Sequence, residues 1–297
     1  MKILIVGLKT NPQLYRLQDE AVKRGHQIHG CLTSDLSIEA SQNAFKPALL
    51  EEDITSFDVI YLWALGKRRW EWCTACLWLQ EHYGTVIVNQ KLIDPTYNYF
   101  LSPAIDYLRQ KENKLLFPKS AILFSLKTLN KVIKNFEFPL VVKPSNGRQG
   151  RGVSKVHTLA ELYKSIDALN EDESPAFVLR EFIPNDGDIR VFTVGYKAIG
   201  AMKRTPKKGD FRSNISQGGS GKSFSLAKNP EVKKIAEKLS KITRTEIAGV
   251  DIMIHKKTKK PYILEINPGP QFTGFEKFTK MNAAKEIILY FEKIAKK

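Results

Sequence analysis

The start of the chain constrains the fold most. Lys2 is followed by Ile3, Leu4, Ile5, Val6 and then Gly7, an apolar, mostly branched run without polar alternation. Such a strand is buried on both faces, as the strands of a parallel sheet are. Parallel strands cannot be joined by a tight turn and need a crossover, usually a helix. The sequence supplies the pieces in that order: a helical stretch over residues 12–24 with Leu14, Leu17 and Val22 on one face, a stop at Gly25, a strand over 27–32, a strand over 58–63, a helix over 69–82 and a strand over 85–88. This alternation predicts a parallel α/β sheet over residues 1 to about 90. Gly7 lacks the companion glycines of a dinucleotide fingerprint, which argues against a Rossmann site.

Residues 91–118 read as a connection with helical content, in which Pro103 either interrupts a helix over 97–110 or marks its start. From Phe117 the pattern changes to short strands, hairpins and glycine-rich loops, an α+β unit. An amphipathic helix follows over 230–243, with Val232, Ile235, Ala236, Leu239 and Ile242 on its apolar face, and a last helix runs over 282–295. The fold class is therefore α/β plus α+β, and 297 residues suit about two domains.

Of those residues 42% are hydrophobic and 26% charged, which excludes disordered, collagenous and membrane-bundle classes. The net charge of +16 is unevenly spread. Residues 1–110 carry 11 basic and 12 acidic side chains, residues 111–297 carry 36 and 19, and the stretch 197–244 carries 13 and 3. A field this one-sided attracts an anion: a nucleotide, an acidic peptide or nucleic acid. The competing reading is a solvated surface. Three cysteines, Cys31, Cys73 and Cys76, are too few for a disulfide framework. The apolar start ends at Lys9, too early for a signal peptide or a membrane span. A cytoplasmic protein is expected, with Cys73 and Cys76 packed in a core.

Four motifs carry chemistry. Leu140, Val141 and Val142 form a strand that delivers Lys143, and Gly147, Gly150 and Gly152 follow closely. Glycines so spaced let backbone N–H groups cover a phosphate, or make a plain surface hairpin. Residues 249–254 and 262–267 read as two strands, and a hairpin centred on Thr258 places Asp251 opposite Glu265, with Asn267 on the same face by period two. Facing carboxylates repel, and a divalent cation bound by Asp251, Glu265 and Asn267 would compensate. Alternatively the three side chains lie on a solvated face. Glu181 and Asp188 flank a strand–turn–strand around Pro184–Gly187 and suit an amino group and hydroxyls, or are exposed hairpin charges. Arg204, Arg212, Ser213 and Asn214 lie in a basic stretch with paired Gly218 and Gly219; guanidiniums grip phosphate or carboxylate bidentately. Phe211 alone interrupts that loop, so a stacking platform for single-stranded nucleic acid is missing.

Taken in order, the motifs around Lys143, Glu181, Arg204–Asn214, Asp251 and Glu265–Asn267 resemble those of the RimK-like ATP-grasp ligases, relatives of glutathione synthetase. The resemblance spans residues 117 to 297. It implies a parallel α/β domain over 1–110 ahead of a two-lobed ATP-grasp fold, with an N-terminal lobe and glycine flap over 111–183 and a C-terminal lobe with a metal site over 184–297. It further implies ATP-dependent joining of a carboxylate to an amine through an acyl-phosphate, with glutamate as a candidate amino acid and an acidic acceptor. Lys143 and the flap glycines Gly147, Gly150 and Gly152 would hold ATP phosphates, Glu181 and Phe182 the adenine, Asp188 the ribose, and Arg212, Ser213 and Asn214 the nucleotide. Arg204 and Arg212 would face the transferring phosphoryl, and Asp251, Glu265 and Asn267 would bind Mg²⁺, with Mn²⁺ as a substitute. The lysine that the family carries some 15 residues before the Pro118 position is replaced at Pro103, with Lys91 and Lys111 as stand-ins. Gln271 stands where glycine is common. A catalytically silent nucleotide binder or a basic nucleic-acid binder is the alternative from another class, and oligomeric state is open.

Overall fold

The structure is a computed structural model and describes residues 1–94, 104–145, 152–168, 176–207, 209–212 and 219–295. The chain opens with β1 (Lys2–Val6), α1 (Pro12–Val22) and β2 (Gln27–Cys31). Asn11 starts α1, its side chain accepting from the Gln13 N–H at 2.9 Å ahead of Pro12 at the first helical position. A hairpin of β3 (Leu36–Ser41) and β4 (Ala44–Leu49), absent from the sequence reading, precedes β5 (Val59–Leu62), α2 (Arg69–Tyr83) and β6 (Val86–Val88). Gly84 ends α2 in the left-handed region at φ 68°, its N–H on the Leu79 carbonyl.

Strands β1, β2, β5 and β6 form the parallel sheet that the first residues demand, in the order β2-β1-β5-β6. Ile3 and Ile5 enter one apolar cluster, Leu4 and Val6 another, so both faces are buried. Cys31, Cys73 and Cys76 are free and buried in the second cluster beside Trp72 and Leu79. Burial pushes the Cys31 and Cys73 thiols up to about 12, consistent with packing.

After α3 (Ala104–Glu112) come β7 (Ser120–Leu123), α4 (Leu126–Val132), β8 (Leu140–Pro144), β9 (Ser154–Val156), α5 (Leu159–Asp167) and β10 (Phe177–Glu181). The second sheet is antiparallel, ordered β7-β10-β8-β9, with α4 and α5 covering one face through Leu129, Leu162 and Ile166. The sequence pattern predicts only strands and hairpins here, and the two helices are additional. Thr158, which accepts from the Glu161 N–H at 3.2 Å, caps α5 and starts a helix instead.

The third sheet contains β11 (Asp188–Val194), β12 (Lys197–Thr205), β13 (Ser220–Phe224), β14 (Ile247–Ile254) and β15 (Pro261–Asn267), with α6 (Pro230–Ile242) between β13 and β14 and α7 (Thr273–Thr279) and α8 (Ala283–Ala295) last. Its order is β13-β12-β11-β14-β15. One face packs on α6 through Ile189, Val191, Ala201, Val250 and Ile252. The other is divided: Phe192, Val194, Met202 and Ile247 join α7, α8 and the first sheet in a single core, and the remaining end is charged. The first and third sheets thus share one apolar interior.

Polar contacts reinforce this joint. The Gln13 side chain accepts from the Phe272 and Thr273 N–H groups at 2.8 and 3.1 Å, capping α7 from another part of the chain. Gly269 lies so close to the Trp63 carbonyl that a Cβ there would be 2.3 Å from its oxygen. The loop after β15 therefore fills the crevice at the carboxyl end of β5, where parallel sheets usually take their ligands. Glu246, 5% exposed, accepts from the Gln90 N–H at 3.1 Å, and burial pushes its carboxyl up to about 7.

Two outcomes follow. Phe192→Ala empties a site at the centre of the shared core and lowers unfolding free energy by about 3–5 kcal/mol in urea titrations. A folded-state pKa raised above 4.5 means that Glu246 contributes fully below pH 4.5 and loses that contribution as pH rises through about 7. Glu246→Gln therefore gains stability relative to the unsubstituted protein between pH 5 and pH 8, by up to ~3 kcal/mol.

Candidate active site

The charged end of the third sheet is built by register. Asp188 pairs across from Arg204, and Arg190 across from Asp251, which in turn lies opposite Glu265. The predicted Asp251–Glu265 apposition is thus present. Period two turns Asp188 and Arg190 on β11, Arg204 on β12, Asp251 on β14 and Glu265 and Asn267 on β15 toward one face.

What balances the facing carboxylates differs from the cation-only expectation. Arg190 grips Asp251 with a fork, Nε to Oδ1 at 2.8 Å and Nη2 to Oδ2 at 2.7 Å. Arg204 grips Asp188 in the same way at 2.6 and 2.7 Å and reaches diagonally to Asp251 Oδ2 at 2.8 Å. Asp188, Arg204 and Asp251 are each at most 5% exposed. Burial opposes the charge on Asp251, yet Arg190 and Arg204 hold its carboxyl below the usual carboxylate range. For Asp188 burial wins: its carboxyl is raised against the pull of Arg204, and Asp251 nearby adds to the rise.

Glu265 stands apart from this knot, 46% exposed at the side chain. Its Oε1 accepts from Asn267 Nδ2 at 3.1 Å. Lys143, at the end of β8 in the second sheet, brings its Nζ to 3.7 Å from Glu265 Oε2. The second and third sheets therefore approach each other here, with a cation on one side and oxygen donors on the other.

The segment joining them is not a hairpin. β10 is flanked by β7 and β8, and β11 by β12 and β14, so the two cannot pair. Glu181, at the end of β10, accepts from the Lys119 N–H at 2.8 Å, and the Lys155 ammonium sits 3.8 Å from the Phe182 ring centre. Asp188 begins β11 buried, rather than as an exposed hairpin charge. Arg212 is held by Asp210 at 2.9 Å, with its N–H on the same carboxylate. Gly152 lies in the left-handed region at φ 68°. Gly147, Gly150, Ser213, Asn214 and Pro103 fall outside the described residues. Lys91 is 3% exposed and lies 3.4 Å from Asp106 on α3, whereas Lys111 is exposed on that helix.

Glu265 and Asn267 offer the hard oxygen donors that Mg²⁺ takes, beside a lysine suited to its phosphate partners. Asp251 has the right chemistry, but both its oxygens are held by guanidinium groups. Among the described residues no cluster of three or more His, Cys, Asp or Glu side chains is placed to hold a metal. Arg190 carried no role in the sequence reading. Its signal was its position two residues after Asp188, on the same strand face.

Comparisons with known proteins agree with this layout. A family model described as the RimK-like ATP-grasp domain matches residues 104–291. A protein of Vibrio atlanticus strain LGP32 named "Probable alpha-L-glutamate ligase" is 31% identical over 309 residues, covering 100% of this chain and 97% of its own. One of the same name from Legionella pneumophila strain Corby is 31% identical over 313 residues, with the same coverage. Among solved structures, the ATP-grasp ligase PsnB in complex with a phosphomimetic variant of its minimal precursor, Mg and ADP superimposes with a TM-score of 0.73 at 16% identity, over 99% of this chain and 98% of that one. The D-alanine–D-alanine ligase of Bacillus anthracis complexed with ATP gives 0.66 at 18% identity, over 100% and 98%. The chain belongs to the RimK-like ATP-grasp family, carbon–nitrogen ligases that join a carboxylate to an amine using ATP and Mg²⁺.

Proposed function

We propose that the protein is an α-L-glutamate ligase that adds glutamate to an acidic peptide, protein or cofactor. The relatives' name suggests the amino acid. The observation that carries the reading is the Lys143–Glu265 approach of 3.7 Å, which sets a phosphate-binding cation against oxygen donors. The basic excess of residues 111–297 suits ATP and an acidic acceptor.

In this reading Lys143 and the Gly147–Gly152 flap hold the ATP phosphates, Glu181 and Phe182 receive the adenine and Asp188 the ribose. Arg212, Ser213 and Asn214 complete the nucleotide site. Glu265, Asn267 and Asp251 would hold Mg²⁺, which would supply neutralisation of phosphate charge. An acceptor carboxylate oxygen attacks the γ-phosphorus and ADP leaves, forming an acyl-phosphate. The glutamate amine attacks the acyl carbon, phosphate leaves, and one proton is released. Arg204, with Arg212, offsets the charge of the transferring phosphoryl, so no protein nucleophile is required. Asp251, whose oxygens Arg190 and Arg204 hold, would be available to a metal only where those guanidinium groups release it. Buried free cysteines fit a cytoplasmic setting. No described helix is long and apolar enough to cross a membrane.

The direct test is ADP release with ATP, each amino acid in turn and a set of acidic peptides. Release that requires both L-glutamate and a peptide carboxylate supports the reading, and release indifferent to both overturns it. Lys143→Ala raises the KM for ATP by roughly 10-fold or more, in line with loss of one charge-assisted contact. The Glu265→Ala, Asn267→Ala double variant loses turnover while remaining folded by circular dichroism. Arg190→Ala leaves the buried Asp251 with one guanidinium instead of two and costs about 3 kcal/mol in chemical denaturation.

A further inference from the structure

The strands that carry Asp251, Glu265 and Asn267 pair in two runs of three rungs, and the three site residues lie in the first. Gly249 pairs with Asn267, Val250 with Ile266 and Asp251 with Glu265, after which the register shifts and Ile252 meets Ile263. One end of this segment is therefore a bulge. At the other end β15 runs into Pro268, which has no N–H to continue the ladder, and β15 is the edge strand of its sheet. The ladder between β14 and β15 ends at the Gly249–Asn267 pair, and Asn267 is the last residue of β15.

That place is filled from the first sheet. Asn89, directly after β6, is fully buried. Its side-chain amide accepts from the Ile247 N–H at 2.8 Å and donates to the carbonyls of Ile247 at 3.2 Å and Pro268 at 2.6 Å. The Tyr61 hydroxyl, from β5, donates to the same Pro268 carbonyl at 3.1 Å. A carboxamide is a peptide group carried on a side chain. Asn89 thus takes the place opposite Ile247 that Gly269 would hold if the ladder continued, and it ties the start of β14 to the end of β15 at the open end of the hairpin.

We propose that Asn89, assisted by Tyr61, is a positioning residue for the metal site. By pinning the Pro268 carbonyl it fixes the backbone of Asn267, and so the direction in which that side chain meets Glu265. The proposal rests on the reading of Glu265 and Asn267 as metal ligands. It gives the first sheet a part in the chemistry without contact to any substrate. Outer partners that orient ligands are commonly worth 10–100-fold in metal affinity.

The experiment measures Mn²⁺ binding to the full-length protein at saturating ADP by electron paramagnetic resonance, ADP binding in chelator by calorimetry, and the thermal midpoint. Four variants are compared: Asn89→Ser, Tyr61→Phe, Asn267→Ala and Leu79→Ala, the last in the separate cluster under α2. Asn89→Ser is expected to weaken Mn²⁺ binding about 10-fold or more, and Tyr61→Phe less but in the same direction. ADP affinity without metal stays unchanged in both. Leu79→Ala lowers the midpoint and leaves Mn²⁺ affinity intact, which separates positioning from mere stability. Should Asn89→Ser fail to fold, Tyr61→Phe decides. Unchanged Mn²⁺ affinity in Asn267→Ala overturns the metal reading itself. Weakening there with none in Asn89→Ser or Tyr61→Phe overturns the positioning role alone.

Discussion

A carboxylate that is almost fully buried governs the third sheet. Taking Asp251 out of water costs several kcal/mol unless charges and donors replace the lost hydration. Arg190 and Arg204 supply both, and each can do so only from its own strand at one register. A slip of one residue would turn every side chain to the opposite face. It would put Asp188, Arg190 and Asp251 against the apolar side of α6 and send Ile189, Val191 and Ile252 to the charged face. The ion pairs therefore do less to stabilise the sheet than to exclude its alternatives.

The same face divides its labour along the strand. Phe192, Val194 and Met202 continue from the charged residues into the core shared with α7, α8 and the first sheet. That continuity ties the chemistry to distant packing. Tyr61, whose ring is edge-on to Phe291 at 5.9 Å, reaches with its hydroxyl to the residue after Asn267. Packing of the first sheet and geometry of the hairpin are consequently one problem for the chain to solve.

Much of this was written locally. Branched apolar residues from Ile3 to Val6 announced a parallel strand, and counting about Thr258 put Asp251 opposite Glu265, where the fold has them. What was not legible depended on partners far away in sequence. Asp188 reads as a hairpin charge until Arg204, 16 residues later, is seen beside it. The separation of β10 from β11 cannot be inferred from either strand, because it follows from each being already flanked on both sides. Asn89 carries no local signal at all; its partners Ile247 and Pro268 lie 158 and 179 residues on. α5 is a different case: Thr158 and Glu161 form a local helix start, a signal present in the sequence that the strand-and-hairpin pattern from Phe117 does not take in.

The unequal joints between the sheets also determine which part can open. Separating the first and third sheets would expose Phe192, Phe272, Phe275 and Phe291 to water, a cost set by the hydrophobic effect. The second sheet has an apolar cluster of its own. Its contacts with the rest include the partly exposed approach of Lys143 to Glu265, which water can replace at little expense, and the buried Arg180, which donates to the Tyr107 hydroxyl at 2.7 Å. The joint between the second sheet and the rest is thus the lighter one, and the aromatic interior that the first and third sheets share is the heavier, so a disturbance that loosens the molecule reaches the second sheet first.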